Sequence, residues 1–269
     1  MIPALPVSPA QIRRPAPVPG DVLSPSQVSN IMDCSYRWYA KTVLRLPGPP
    51  TASQILGRAV HAALATNFGQ KCETQEDLPV VGVVVVFRDA WSSLSEGMEF
   101  RDDEDPDELG KTGEALVTKY MEEAAPRIEP AAVEMRVEGV IAGVRVTGYI
   151  DLLDVNGCVI DIKTAKARPT SISPMQRFQV ATYGHLTPLA QGTGRIDTLV
   201  KTKTPQVIQQ NFSISSQEFK AIETLYPEAQ ALMRGGVHLP NRHSMLCSRR
   251  QCAFWRHCEQ TWGGEVPYK

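Results

Sequence analysis

A mixed α/β domain with helical flanks is expected for this 269-residue chain, and three observations lead to it. The middle of the chain carries three alternating apolar runs joined by short turns. The segments before it repeat apolar residues every three or four positions, the spacing of one helix face. After it come a helix, two strands and a helix, an order that covers a sheet with helices rather than separating all-α from all-β units.

The elements follow in order. Residues 1–22 hold five prolines among their first 17 residues and no periodicity, which reads as a flexible lead. Ser24-Pro25-Ser26 pairs a cap residue with proline at the first helical position. The helix begun there runs through Val28, Ile31, Met32, Tyr36 and Tyr39, with Cys34 inside it. A second helix is expected over 53–68, with Leu56, Val60, Ala63 and Leu64 on one stripe beside His61. Over 79–96 the β-branched run suits a strand, while Val83, Phe87, Trp91 and Leu94 suit a helix; the continuation RDAWSSL favours the helix. A further helix covers 113–125 and ends at Pro126. Alternation over 133–141, 144–154 and 158–163, with turns at Ala142-Gly143 and Asn156-Gly157, gives an antiparallel three-stranded meander. A helix over 174–190, strands over 196–202 and 207–214, and a helix over 216–234 follow, then a loop-rich tail.

Composition narrows the classes. The chain is 42% hydrophobic and 21% charged, ordinary for a globular protein, and its longest apolar run, 80–87, is far short of a membrane span. The N-terminus lacks the basic and apolar regions of a signal peptide, so a cytoplasmic protein with reduced cysteines is expected. Residues 1–159 hold 14 Lys+Arg against 22 Asp+Glu, while 160–269 hold 14 against 7. A basic C-terminal part can face a polyanion, or simply be solvated surface. The acid run 102–108 (DDEDPDE) reads as an exposed, self-repelling loop.

The segment GYIDLLDVNGCVIDIKTAK is the most informative. Asp161 and Lys163 lie two residues apart on one strand and share a face, and pairing across Asn156-Gly157 brings Asp151 near Asp161. Two converging carboxylates and an ammonium invite a divalent cation; Mg²⁺ or Mn²⁺ accepts such oxygen ligands. Glu134, one hairpin upstream, offers another carboxylate. Taken alone, the same pattern also fits solvated carboxylates in surface ion pairs.

The stretch resembles the PD-(D/E)XK nuclease superfamily, in particular its RecB-like branch. Gly148-Tyr149-Ile150-Asp151 is similar to that branch's Gly-x-x-Asp strand, although Ile150 stands where proline is usual. Asp161-Ile162-Lys163-Thr164 resembles its Asp-x-Lys-Thr, Gly57 to His61 its helical histidine motif, and Gln179 to Tyr183 its Gln-x-x-x-Tyr. The resemblance spans about 23–262. It implies one nuclease domain: a helical part over about 23–125, a catalytic core of mixed sheet and flanking helices over about 131–234, and a cysteine clasp at 240–262 joined by Cys34. It implies that His61, Asp151, Asp161 and the Ile162 carbonyl bind metal and that Lys163 is catalytic. Gln179 and Tyr183 then support the site and the DNA, and Glu134 matches a less regular upstream glutamate.

The chain has six cysteines, of which Cys247, Cys252 and Cys258 cluster in CSRRQCAFWRHC. That density in a reduced compartment points to a metal or cluster site lacking a fourth ligand. By the same resemblance, Cys34-Ser35-Tyr36-Arg37 matches an N-terminal Cys-Pro-x-Arg, and four such cysteines hold a [4Fe–4S] cluster. The first tail pair has four intervening residues where many relatives have two. Zinc is the alternative, since it also accepts four cysteines. Cys72 and Cys158 are expected to be ordinary residues. Arg249, Arg250 and Arg256 around the clasp, and Lys166 beyond the lysine hairpin, are candidate DNA contacts; Phe254 and Trp255 can stack on bases or simply pack the clasp.

The resemblance implies a metal-dependent DNA exonuclease acting on linear DNA in phage or bacterial recombination or repair, with a recombination or annealing protein as a partner. A DNA endonuclease on the same core, a non-catalytic iron–sulfur DNA-binding subunit and a redox protein are the alternatives. No G-x4-G-K-[ST] phosphate-binding loop is present.

Overall fold

The computed structural model describes residues 20–268. Most of the expected flexible lead, 1–19, lies outside the described residues. Its end is not loose: β1 (Val22–Leu23) pairs in parallel with Arg145 and Val146.

The three middle runs form the expected antiparallel meander, β2 (Pro130–Ile141), β3 (Val144–Asp154) and β4 (Cys158–Ala165). β5 (Thr193–Val200) adds in parallel to β4, and β6 (Gln206–Ser213) pairs antiparallel with β5, completing a six-stranded mixed sheet. At the β3–β4 turn, Asp154 Oδ1 accepts from the backbone N–H of Asn156 (2.9 Å) and Cys158 (2.8 Å). Gly157 there has φ +75°, which glycine adopts freely.

β3 is the pivot of the sheet. One side pairs with β2 along its length; the other is shared by β1 at its start and by β4 at its end. The β3–β4 ladder covers only Leu152↔Ile160 and Leu153↔Val159. Residues 147–151 therefore have no ladder partner on that side, and the strands fork at Asp151 and Asp161.

Helices cover both faces. In chain order they are α1 (Pro25–Asp33), α2 (Ser35–Thr42), α3 (Ala52–Thr74), α4 (Val80–Ser95), α5 (Pro106–Glu123), α6 (Pro174–Leu186), α7 (Ser216–Arg234) and α8 (Trp255–Trp262). Helices α3, α4 and α5 bury Leu56, Phe87 and Leu116 against Leu152, Ile160 and Ile162. Helices α1, α6 and α7 bury Val28, Val180 and Tyr226 against Val146, Ile150 and Val159. Each fully buried Leu, Ile or Phe contributes on the order of 1.5–3 kcal/mol. Among the described residues, no helix is long and apolar enough to cross a membrane.

Five expectations are corrected. The first helix is two, because Cys34 is extended (φ −157°, ψ 101°) between α1 and α2. Tail contacts account for the break: Tyr36 N–H and the Ser35 hydroxyl both donate to the Leu239 carbonyl, and Asn241 N–H meets Cys34 Sγ. The acid run is not all loop; Asp105 caps α5 by accepting from Asp107 and Glu108 N–H, and those two carboxylates occupy its first turn, where the helix dipole favours negative charge. Helix α6 stops at Leu186, since Thr187 precedes Pro188 and is held extended. Helix α3 runs on to Thr74, and the tail contains α8. At 80–95 the β-branched run is helical, as its continuation suggested: Val83, Val84 and Phe87 are buried on one side, and that burial overrides strand propensity.

Gly113 of α5 tests this packing. A Cβ there would fall 2.0 Å from Phe87 Cζ and 2.8 Å from Leu56 Cδ1, and both neighbours are fully buried. Alanine is about 1 kcal/mol better than glycine inside a helix, whereas overpacking costs on the order of 1–3 kcal/mol or more. Gly113→Ala is expected to lower unfolding stability by about 1–2 kcal/mol in a urea melt; an unchanged or higher midpoint would contradict this packing.

Candidate active site

The fork in the sheet gathers the polar residues. Asp151 and Asp161 lie just past the last β3–β4 ladder pair, and Asp151 Oδ2 accepts from the Ile162 N–H at 2.8 Å. From α3, His61 Nε2 lies 2.8 Å from the Ile162 carbonyl oxygen and its Nδ1 lies 3.7 Å from Asp151 Oδ1. This puts the Ile162 carbonyl beside the histidine expected to share a metal with it.

Asp161 is 1% exposed. Its Oδ1 accepts from Lys163 Nζ at 2.6 Å and from Gln179 Nε2 at 2.8 Å. Its Oδ2 is buried and has no hydrogen-bond partner among the described residues. Burial is the main cause that lifts the Asp161 carboxyl to about 6; Lys163 opposes the rise and Asp151 adds to it. Burial pulls Lys163 down, but Asp161 and Asp151 more than offset it, so its ammonium lies above the ordinary lysine value. A buried carboxylate oxygen without a donor is costly, and a cation is the partner that fits it.

Glu134 joins the cluster through a distorted backbone. Its φ is +45°, and the β2–β3 ladder runs from Val133↔Leu152 to Met135↔Ile150 around it. That places Glu134 level with Asp151. His61, Glu134 and Asp151 each offer a ligand atom within 4.8 Å of the other two. Burial and then Asp151 raise the Glu134 carboxyl above its ordinary value. Asp161 does not belong to that trio at this spacing; it faces the fork from the neighbouring strand.

Helix α6 supplies the support. Gln179 Nε2 bridges Asp161 Oδ1 and the Tyr183 hydroxyl (3.2 Å). The Tyr183 ring lies against Gly148, where a Cβ would come within 2.5 Å of Cε1. Gly148 thus leaves room for the tyrosine that holds Gln179. The set can hold a divalent cation with carboxylate and imidazole ligands and place an ammonium beside it.

The six cysteines fall into a group of four and two others. Cys34, Cys247, Cys252 and Cys258 line one cavity, together with Tyr36, Arg37 and Phe254. Burial pushes the Cys258 thiol up to about 11; Arg242 opposes this, and Cys34, Cys252 and Cys247 add to it. Cys72 is exposed, and Cys158 lies within β4. Phe254 is buried and packs against Gly48.

The four expected DNA-contacting cations divide. Arg249 is occupied by Glu259 (3.2 Å) and Glu265 (3.4 Å) and stacks over Trp255. Arg250 pairs with Asp103, and Arg256 lies 5.1 Å from the Trp255 ring centroid. Lys166 is exposed just past the end of β4. Sequence reasoning passed over Lys201, at the exit of β5; the basic turn KTKTP after a β-branched strand was the available signal.

A cation bound at Asp161 Oδ2 would have to displace a proton once the pH falls far enough for that carboxyl to hold one. Mn²⁺ affinity should therefore be level well above pH 6 and weaken as the pH falls below the Asp161 value of about 6. The expected weakening is about tenfold per pH unit for each proton displaced. Calorimetric titration at about pH 5 and about pH 7.5 checks it, and equal affinity at both would remove Asp161 from the ligand set.

A family model described as the PD-(D/E)XK nuclease superfamily matches residues 22–259, which include every residue of the fork. Among solved structures, the crystal structure of a "Putative exonuclease" from Eubacterium rectale superposes with a TM-score of 0.60 at 11% identity, covering 93% of this chain and 91% of that one. At that identity the likeness concerns the fold. The crystal structure of SSO0001 covers 89% of this chain and 86% of that one at 12% identity, with a TM-score of 0.45 that carries no argument. No curated protein sequence matches. The match over most of the chain and the sheet that carries the fork lead to one conclusion: the chain belongs to the PD-(D/E)XK nuclease superfamily.

Proposed function

We propose that this nuclease is a Mg²⁺- or Mn²⁺-dependent deoxyribonuclease that degrades linear DNA from an end. The observation that carries the reading is the unpartnered Oδ2 of Asp161, buried at a fork that also holds Asp151, His61, Glu134 and Lys163. Nucleases of this superfamily use divalent metals, and the donor set here, carboxylates with one imidazole and one carbonyl, fits such an ion. The ion would supply a more acidic water and charge stabilisation at the phosphate.

The chain's own groups do the positioning. Lys163, held 2.6 Å from Asp161 Oδ1, presents a fixed ammonium to the incoming phosphodiester and can orient the attacking water. Gln179, braced by Tyr183, fixes the Asp161 carboxylate. Hydrolysis adds water to phosphorus and breaks one P–O bond to a sugar, leaving a phosphate on one end and a hydroxyl on the other.

Attack from an end is supported by the fold likeness to a protein called an exonuclease. The resemblance to the RecB-like branch supports a place in phage or bacterial recombination or repair.

For the clasp, we propose a [4Fe–4S] cluster held by Cys34, Cys247, Cys252 and Cys258. All four line one cavity. The C-x4-C-x5-C spacing of the tail cysteines lacks the short two-residue knuckles usual for a zinc site. The cluster would fasten the α1–α2 break to the tail and contribute to stability by linkage.

Asp151→Asn and Asp161→Asn should each lower cleavage at least about 100-fold with the fold intact, and Lys163→Ala should do so while Mn²⁺ binding survives. Digestion of end-labelled linear and closed circular DNA with Mg²⁺, Mn²⁺ or EDTA is the decisive assay. Cutting of the circle would replace the exonuclease with an endonuclease, and no cutting would leave a binding protein. Anaerobically purified wild type should carry iron and sulfide. Cys34→Ser should lose both and melt at a lower temperature, whereas Cys72→Ser should keep them. Stoichiometric zinc without iron would replace the cluster, and full iron in Cys34→Ser would remove Cys34 from the ligands.

A further inference from the structure

The loops that leave β4 and β5 together form an unneutralised cationic rim. The two strands run parallel in register up to Ala165↔Val200, and Lys201 N–H donates to the Ala165 carbonyl at 2.8 Å. The chain therefore leaves both strands at one level. Lys166 and Arg168 follow β4, and Lys201 and Lys203 follow β5. Neither 166–172 nor 201–205 contains an acidic residue. Among the described residues, none of these four cations makes an ion pair, whereas Arg88, Arg177, Arg195, Arg234, Arg249 and Arg250 all do.

Lys201 is the fixed point of the rim. It is half-buried, and its Nζ donates to Ser53 Oγ at 3.3 Å, in the first turn of α3. Burial and then the charge of Lys166 push its ammonium below the ordinary lysine value. A half-buried ammonium beside a like charge is destabilising unless an anion completes it.

The rim stands near the fork by two routes. Lys166 is three residues beyond Lys163 along the strand exit, roughly 10 Å at about 3.3 Å per residue. Ser53 is eight residues before His61 on α3, roughly 12 Å at about 1.5 Å per residue. With one phosphate per strand about every 3.4 Å of duplex axis, this is about three phosphates along the strand.

We infer that Lys166, Arg168, Lys201 and Lys203 form a phosphate-binding rim that holds the nucleic-acid backbone a few phosphates from the scissile bond. This rests on the nuclease reading above. It places the backbone contact at the sheet exit rather than at Arg249 and Arg250, whose charges are already met by carboxylates.

The test is the salt dependence of oligonucleotide binding to the full chain in EDTA, where no cleavage competes. Lys201→Gln should weaken binding several-fold at low salt and make the slope of log K against log salt shallower by about 0.7–0.9, the share of one neutralised phosphate. Lys201→Arg should restore most of both, and the Lys166→Gln/Lys201→Gln pair should flatten the slope further. With metal present, Lys201→Gln should raise KM several-fold more than it lowers kcat. If Lys201→Gln does not fold, the exposed pair Arg168→Gln/Lys203→Gln carries the same slope test. An unchanged slope with unchanged KM overturns the rim. Inorganic phosphate alone gives the other source of this chemistry: displacement of the oligonucleotide from wild type but not from Lys201→Gln, with equal salt slopes, would make the rim a free-phosphate site and overturn the backbone assignment. A wild type that cuts nothing but shows the slope change would sink the nuclease reading and leave the rim standing.

Discussion

A carboxylate with almost no water around it stands at the centre of this molecule. Asp161 is held on Oδ1 by an ammonium and an amide, and among the described residues Oδ2 has no hydrogen-bond partner. Packing from both faces of the sheet keeps it there, since Val159, Ile160 and Ile162 on its own strand are buried among helices. Such a group is unstable unless the rest of the structure over-determines it. The neighbourhood does so: Lys163 on the same strand face, Gln179 braced by Tyr183, and Tyr183 seated on a residue without a side chain, Gly148. The most demanding polar geometry thus lies where strand, helix and glycine constraints coincide.

The incomplete pairing of β3 makes room for it. A continuous ladder would put Asp151 and Asp161 side by side with their backbones satisfied and no gap. Instead β1 takes one end of the free side and β4 the other. The Ile162 N–H is then met by the Asp151 side chain, and the Ile162 carbonyl faces His61. Backbone groups that would have bonded another strand become part of the site, which is how a sheet can offer a carbonyl as a ligand. The strained Glu134 brings a third strand's carboxylate to the same opening.

Charge is handled differently at the two basic regions. At the clasp, arginines are absorbed by local carboxylates and by Trp255, so they fasten the tail. At the exits of β4 and β5 the cations form no ion pair among the described residues. Part of the basic excess of residues 160–269 is therefore spent on local carboxylates, and the part at these strand exits is left to meet a polyanion.

Much of this was legible in the residue order. Alternation, Asn-Gly and the Ser24-Pro25 cap foretold the meander, the β3–β4 turn and the start of the first helix, because these depend on contacts within a few residues. Asp151, Asp161 and Lys163 were recognisable because strand periodicity and the Asn156-Gly157 turn bring them together and the motif around them resembles that of the superfamily. Other features depended on partners far away in the chain. Cys34 breaks a helix because the tail supplies the hydrogen bonds that the next turn would have made. The valine-rich 80–95 segment is helical because its stripe meets α3 and α5. Arg249 and Arg250 are committed because Glu259, Glu265 and Asp103 fold onto them, and Lys201 is left without a counter-charge because β5 delivers it beside Lys166. Local periodicity reports backbone geometry and side-chain direction, but whether a polar group is satisfied depends on what the rest of the chain brings to it, and that is decided in three dimensions.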